Sequence, residues 1–285
     1  MKNQSIYENI TQRIVDLLET GTVPWHKPWT SKAAFPRNFV TKKAYRGVNV
    51  LLLHAMAYES PFWLTYKQAA ELGGNVRKGE KACPVVFWKQ LELEDKETGE
   101  LEKIPMLRFY FVFNLSQCEN IKDTANAPQV QTTTTEAAEI VEQMPQRPAI
   151  KHGMRKAFYS PGEDCIGLPD AKNFESEAAY YSVLFHEMIH STGHTSRLNR
   201  PTLTTKAGFG ASDYCREELI AELGASFLCG QASITTPSLI ENSAAYLRGW
   251  LEALKNDKTL IVQAAAQAQR ATDFILAKKF GEASA

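Results

Sequence analysis

Apolar and polar positions change period several times along the 285 residues, and those changes divide the chain. The first twenty residues, with Glu8, Arg13, Asp16 and Glu19 interrupting an apolar repeat, predict an amphipathic helix. A short helix is predicted over Thr65–Leu72, with Thr65 as its cap. Apolar runs at Pro84–Trp88 and Leu107–Asn114 read as strands. Between them Leu91–Lys103 reads as a hairpin turning at Glu97, Thr98 and Gly99. Residues 118–135 are polar, contain proline and lack core residues, as a linker does. A helix at Glu136–Met144 and strands near Ala149, Ala157 and Cys165 follow. The next helix is capped by Ser176, buries Tyr180, Val183, Leu184 and Phe185, and stops at Gly193. Tyr214–Leu228 repeats Leu219, Leu223, Phe227 and Leu228 at helical spacing. Ser238–Leu254 and Lys258–Lys279 read as two closing helices, and no internal repeat is evident. This order predicts an α+β chain of two domains, residues 1–125 and 149–285, joined by a linker and leading helix over 126–148.

A hydrophobic fraction of 44% is enough for real cores. The five cysteines stand singly, with no C-x-x-C, and read as small buried residues of a reducing compartment. Neither a secretory signal nor an apolar run of membrane-spanning length is seen, so a cytoplasmic protein without a membrane partner is expected. The net charge of zero hides an uneven distribution. Residues 1–90 hold 13 Lys/Arg against 6 Asp/Glu, whereas residues 91–103 hold 6 acids against 2 bases.

The basic stretch also holds Trp25, Trp29, Trp63 and Trp88, four of the five tryptophans. Bases stacked on aromatic faces, with Lys and Arg following the phosphates, is how single-stranded nucleic acid is held. The candidates are Trp25, Lys27 and Trp29 in a proline-punctuated loop, then Arg37, Lys43, Tyr45, Arg46 and Asn49. Trp63, Tyr66, Lys67 and Gln68 open the Thr65 helix, and Arg77, Lys78 and Lys81 lie in a turn punctuated by Gly73, Gly74 and Gly79. For any one of these aromatics, core packing is an equal reading.

The sharpest chemical signal is His186-Glu187-Met188-Ile189-His190. Histidines four apart share one face of a helix, where both imidazoles reach one metal ion, and Glu187 is placed to take a proton from water activated there. A catalytic zinc site needs a third protein ligand. The pattern H-E-x-x-H-x-x-G-x-x-H fails, because Gly193 fits but Ser196 stands where the last histidine belongs, and His194 follows the glycine too closely. A carboxylate on the Tyr214–Leu228 helix fits better, as in gluzincins: Glu218 is the expected ligand, with Glu222 orienting a histidine. Glu217 and Asp213 stay open as alternatives. The expected metal is Zn²⁺, with Mn²⁺ or Co²⁺ compatible. Thr202–Asp213, containing Gly208, Phe209 and Gly210, reads as a loop covering the cleft.

These residues carry a family resemblance. Ala157–Pro169, Phe174, Tyr180–His190, Arg197-Leu198 and Glu217-Glu-Leu-Ile-Ala-Glu222 resemble the zincin-like metallopeptidase domain of ArdC-type antirestriction proteins. Tyr45-Arg-Gly-Val-Asn49, Trp63–Ala69 and Gly73–Lys81 are similar to the DNA-binding domain of the same family, found also in TraC-type plasmid primases. The resemblance implies single-stranded DNA as one partner, a protein substrate or host restriction component as another, and protection of plasmid DNA entering a new host. It leaves two readings open. One is a DNA-tethered zinc peptidase; the other is a single-strand-binding shield whose metal site is structural or partner-binding, with little proteolysis.

Overall fold

The computed structural model describes residues 5–25, 35–94, 101–122, 134–204, 211–234 and 244–278, with backbone alone for 88–94, 101–107, 204, 211–212 and 244–246. The expected turn at Glu97–Gly99, most of the linker, the middle of the Thr202–Asp213 loop and the start of the Ser238 helix lie outside the described residues. In chain order the elements are α1 (Ile6–Glu19), β1 (Arg37–Asn38), α2 (Val48–Ala55), β2 (Phe62–Thr65), α3 (Tyr66–Glu71), β3 (Asn75–Val76), β4 (Cys83–Glu94), β5 (Leu101–Asn114) and β6 (Cys118–Glu119). Then come α4 (Thr135–Gln143), β7 (Ala149–Lys151), β8 (Phe158–Ser160), β9 (Cys165–Gly167), α5 (Glu177–Thr192), α6 (Pro201–Thr204), α7 (Ala211–Gln231), α8 (Ala244–Asn256) and α9 (Leu260–Ile275). The mixture is α+β, in two compact units: Pro36–Ala125, and Met1–Phe35 together with Asn126–Ala285.

The unit Pro36–Ala125 is built on a sheet ordered β1-β2-β5-β4, antiparallel except for the β1–β2 pair. Thr65 caps α3 as its sequence predicts: its hydroxyl accepts from the Gln68 amide at 3.2 Å, and Gln68 Oε1 accepts from the Thr65 amide at 2.9 Å. This box turns the chain from β2 directly into α3, setting Ala69 over Phe39, Phe62, Leu64 and Leu115. Helix α2 packs on β4, and Asn49 accepts from and donates to the Val86 backbone at 2.7 Å each way. That pair satisfies a buried backbone amide and carbonyl on a strand at the sheet's edge.

The other unit centres on α5, α7 and α9, with a small sheet ordered β7-β9-β8 packed on α5 through β8 and β9. Ser176 caps α5 as expected, accepting from the Ala179 amide at 3.1 Å. Helix α5 buries Leu184, Phe185, Met188 and Ile189, and α7 buries Leu219, Ile220, Leu223, Phe227 and Leu228. Ala264, Ala265, Ala268 and Ala271 are also buried, giving α9 a small-residue face in the core.

The N-terminal helix does not join the unit that follows it in sequence. α1 packs on α8 and α9, burying Ile10, Ile14, Val15 and Leu18. Thr11 donates to the Lys258 carbonyl at 2.6 Å, and Lys255 pairs with Glu19 at 2.6 Å. Its place in the sequence puts α1 with the first domain, because it precedes that domain's strands; its apolar face is buried instead against α8 and α9.

Candidate metal centre

Helix α5 presents His186 and His190 on one face, and their Nε2 atoms stand 3.1 Å apart. From α7, Glu218 brings Oε2 to 3.5 Å from His186 Nε2 and Oε1 to 3.6 Å from His190 Nε2. Among the described residues these three form a group of donors all within 4.8 Å of one another. Ligands at bond lengths of about 2.1 Å around a tetrahedral cation sit roughly 3.4 Å apart, so the spacing suits one ion. Two imidazole nitrogens facing each other beside a carboxylate are the donor set that a shared divalent cation takes. Glu187 is buried, at 8% exposure, on the same helix.

The rear nitrogens of both histidines meet carboxylates from α7. His186 Nδ1 lies 3.4 Å from Glu222, and His190 Nδ1 lies 3.3 Å from Glu217. Three acids of one helix thus divide the work: Glu218 faces the ligand position, while Glu222 and Glu217 each back one imidazole. Burial would push His186 down, but the adjacent Glu218 and Glu222 carboxylates hold it well above its ordinary value.

Glu217 is anchored further. Arg200, itself buried, donates to Glu217 through Nη2 at 2.6 Å and Nε at 3.2 Å, and Thr202 donates at 2.5 Å. The same guanidinium donates to Thr192 Oγ1 at 2.6 Å and to the Ile189 carbonyl at 2.8 Å, tying the end of α5 to α7. Burial opposes ionisation of Glu217, yet hydrogen bonds from His190 and Arg200 lower its carboxyl to about 2. Sequence reading missed Arg200, since no spacing links residue 200 to residue 217; the turn after α5 brings them together. Of the open alternatives, Glu217 is occupied by Arg200, Asp213 is exposed outside the ligand group, and His194 Nδ1 bonds Ser196 at 2.8 Å. Tyr214, one turn before Glu218, hydrogen-bonds that carboxylate, while Tyr180 bonds His152 at 3.0 Å.

The positions chosen for nucleic acid fare less evenly. Trp25 is 1% exposed and packs edge-on against Trp250, with ring centroids 5.3 Å apart. Trp63 is 2% exposed and packs against Tyr58, and Tyr45 is buried beside Phe87. Asn49 is committed to Val86, and Gln68 to the α3 cap and Asn38. The three rings are not presented to a base, because an indole or phenol ring removes more apolar area from water inside a core than on a surface, and the two amides are taken up by hydrogen bonds within the fold. Arg37, Lys43, Tyr66, Lys67, Arg77, Lys78 and Lys81 are exposed, and Arg46 is half-buried. Gly73 and Gly79 serve turns with φ of +77° and +91°. Lys27 and Trp29 lie outside the described residues, as does the Trp88 side chain.

Comparisons with known proteins agree with both halves. Residues 136–267 match a family of zincin-like metallopeptidases, and residues 4–113 match the N-terminal domain of anti-restriction factor ArdC. A metal-free crystal structure of the antirestriction ArdC protein from the R388 plasmid superposes with a TM-score of 0.79 at 39% identity, covering 96% of this chain and 97% of that one. The Mn(II)-bound structure of the same protein gives 0.78 at 37% identity, covering 96% and 98%. DNA primase TraC of Escherichia coli is 35% identical over 95% of this chain, which spans 27% of that primase's length. No helix among the described residues is long and apolar enough to cross a membrane.

Proposed function

The chain belongs to the family of ArdC-type antirestriction proteins, and from that premise we propose that it is a metal-dependent peptidase that also binds single-stranded DNA and protects incoming DNA from restriction. The observation that carries the peptidase half is the convergence of His186, His190 and Glu218 beside Glu187. A divalent cation held there, Zn²⁺ in this reading and Mn²⁺ or Co²⁺ by the same donors, supplies Lewis acidity toward a carbonyl and acidifies water. Glu187 takes the proton of the attacking water and delivers it to the leaving amine nitrogen. Glu217 and Glu222 hold the imidazoles by Nδ1, so that Nε2 of each points into the site. Tyr214, exposed and already within reach of Glu218, is the donor we assign to the developing oxyanion. Strand β8 stands at the edge of its sheet beside α5, where an extended substrate segment can pair as a further strand.

Glu187→Gln tests the proposal. The variant is expected to keep metal and DNA binding and to lose hydrolysis of an unfolded protein substrate by about 10²–10⁴-fold. In cells, its protection of unmodified incoming plasmid should fall with that activity. Undiminished protection by the variant would leave the DNA-binding shield as the protective agent.

A further inference from the structure

A strand at the rim of a sheet carries main-chain donors and acceptors that an added strand can meet. The sheet β7-β9-β8 has two rims, and β7 is the one opposite the edge assigned above to the peptidase substrate. It runs parallel to β9, with Ile150 opposite Ile166 and Lys151 opposite Gly167. The Lys151 carbonyl accepts from the Leu168 amide at 2.8 Å, so residue 151 turns its main chain toward β9. Main-chain groups alternate in direction along a strand, which points the Ile150 amide and carbonyl away from the sheet. Among the described residues no group bonds to either of them.

This free edge lines a cavity of about 600 Å³ enclosed by β7, α4 and α5, within the ~300–1,000 Å³ that ligand sites take. Ala138 and Val141 of α4 and Leu184 and Tyr181 of α5 form its largely apolar walls. At 100° per residue, Leu184 and His186 lie about 160° apart around the helix, so the cavity and the metal ligands occupy different sides of α5. Its charged side chains are already paired with each other. Arg147 gives both terminal nitrogens to Glu142, at 2.9 and 3.3 Å, and His152 bonds the Tyr180 hydroxyl at 3.0 Å. A phosphate or carboxylate would have to break the Arg147 pair to be held. What the cavity offers instead is a main-chain donor and acceptor beside apolar walls. That is the chemistry that takes an extended peptide, whose backbone pairs with the strand while alternate side chains enter the pocket.

We propose that β7, α4 and α5 form a second peptide-docking site, where an extended, uncharged segment of a partner protein adds to the sheet as a fourth strand. Its main chain pairs with Ile150, and an apolar side chain sits among Ala138, Val141 and Leu184. The site is separate from the β8 edge and the metal, so it holds a protein independently of whether that protein is cut. The test uses the full chain carrying Glu187→Gln and a fluorescein-labelled pentapeptide of alternating threonine and valine, its C-terminus amidated, followed by anisotropy. Ala138→Phe fills the cavity from α4 and should weaken binding by about ten-fold or more. Ile150→Pro removes the outward amide while leaving the β7–β9 ladder, and should weaken binding about ten-fold, the worth of a hydrogen bond. Both variants should take up metal as the parent does, which shows that the unit is folded. Inorganic pyrophosphate should not displace the peptide; displacement would reassign the cavity to an anion. A parent that does not bind the peptide overturns the proposal. If the parent binds and both variants bind equally well, the peptide sits elsewhere, the β8 edge included; the docking site then falls while the peptidase reading stands.

Discussion

Glu217 joins two tasks in one carboxylate: it holds His190 from behind and neutralises a buried Arg200. Removing its charge therefore has two separable effects. Glu217→Gln should reduce metal affinity about 10–100-fold, read by competition with a chelator, because His190 loses its orienting partner. It should also lower stability by about 3–5 kcal/mol in urea unfolding of the metal-free protein, since Arg200 stays buried without a counter-charge. The pH dependence has a definite sign. Glu217 titrates at about 2 in the folded chain, below its ordinary 4.5. Its contribution is complete above about pH 4.5 and is lost as pH falls toward 2. Asp164, lowered by hydrogen bonds from Arg197 and Tyr159 despite partial burial, adds loss in the same direction. The parent should therefore destabilise progressively below pH 4.5, and Glu217→Gln should do so less steeply. An equally steep acid limb in the variant would show that other carboxylates govern it.

At the scale of elements, the site depends on how closely α5 and α7 approach. A methyl group at Gly224 would meet Ile189 Cδ1 at 2.5 Å, Cγ1 at 2.8 Å and Cγ2 at 3.0 Å. Ile189 is β-branched, buried and adjacent to His190, so it has little room to yield. Gly224→Ala is expected to cost about 1–3 kcal/mol by overpacking and to weaken metal binding, because Glu218 and Glu222 move with α7. Adding Ile189→Ala should recover part of the metal affinity, which a calorimetric titration would detect; no coupling between the two substitutions would mean that the helices are separated by something else. The capped starts of α3 and α5 and the paired β4–β5 ribbon were legible from local pattern. Small residues at Ala221, Gly224 and Ala225 also mark α7 as a helix that packs closely; that Gly224 meets Ile189 was not legible, because no local spacing links positions 35 apart.

For the whole molecule, the compact units do not follow the boundaries read from the sequence. The ArdC N-terminal family match begins at residue 4, yet α1 is buried on α8 and α9 and Trp25 on Trp250. Four buried aliphatic side chains on α1, at roughly 1.5–3 kcal/mol each, represent gross burial comparable to the net stability of a domain. A chain starting at Pro36 should thus lose or sharply lower the thermal transition of its metal-binding unit, and with it metal uptake. The unit Pro36–Ala125 should melt as before. An unchanged melt of the metal-binding unit in the truncated chain would show that α1 adds nothing to it.

What the sequence determined by itself was whatever is written at short range. Helical spacing of four puts His186 and His190 on one face, a threonine or serine hydroxyl caps α3 and α5, and an apolar run marks β5. The same local reasoning singled out Glu218 and Glu222, because a packed helix with acids four apart needs partners for them. Tertiary structure decided what depends on distant segments. It backed His190 with Glu217 and Arg200, drew α1 onto the far end of the chain, and put Trp25 and Trp63 inside while leaving Phe109 and Phe111 outside. Composition cannot make that last choice. Whether an aromatic ring is core or surface depends on which element covers its face, and the covering element comes from elsewhere in the chain.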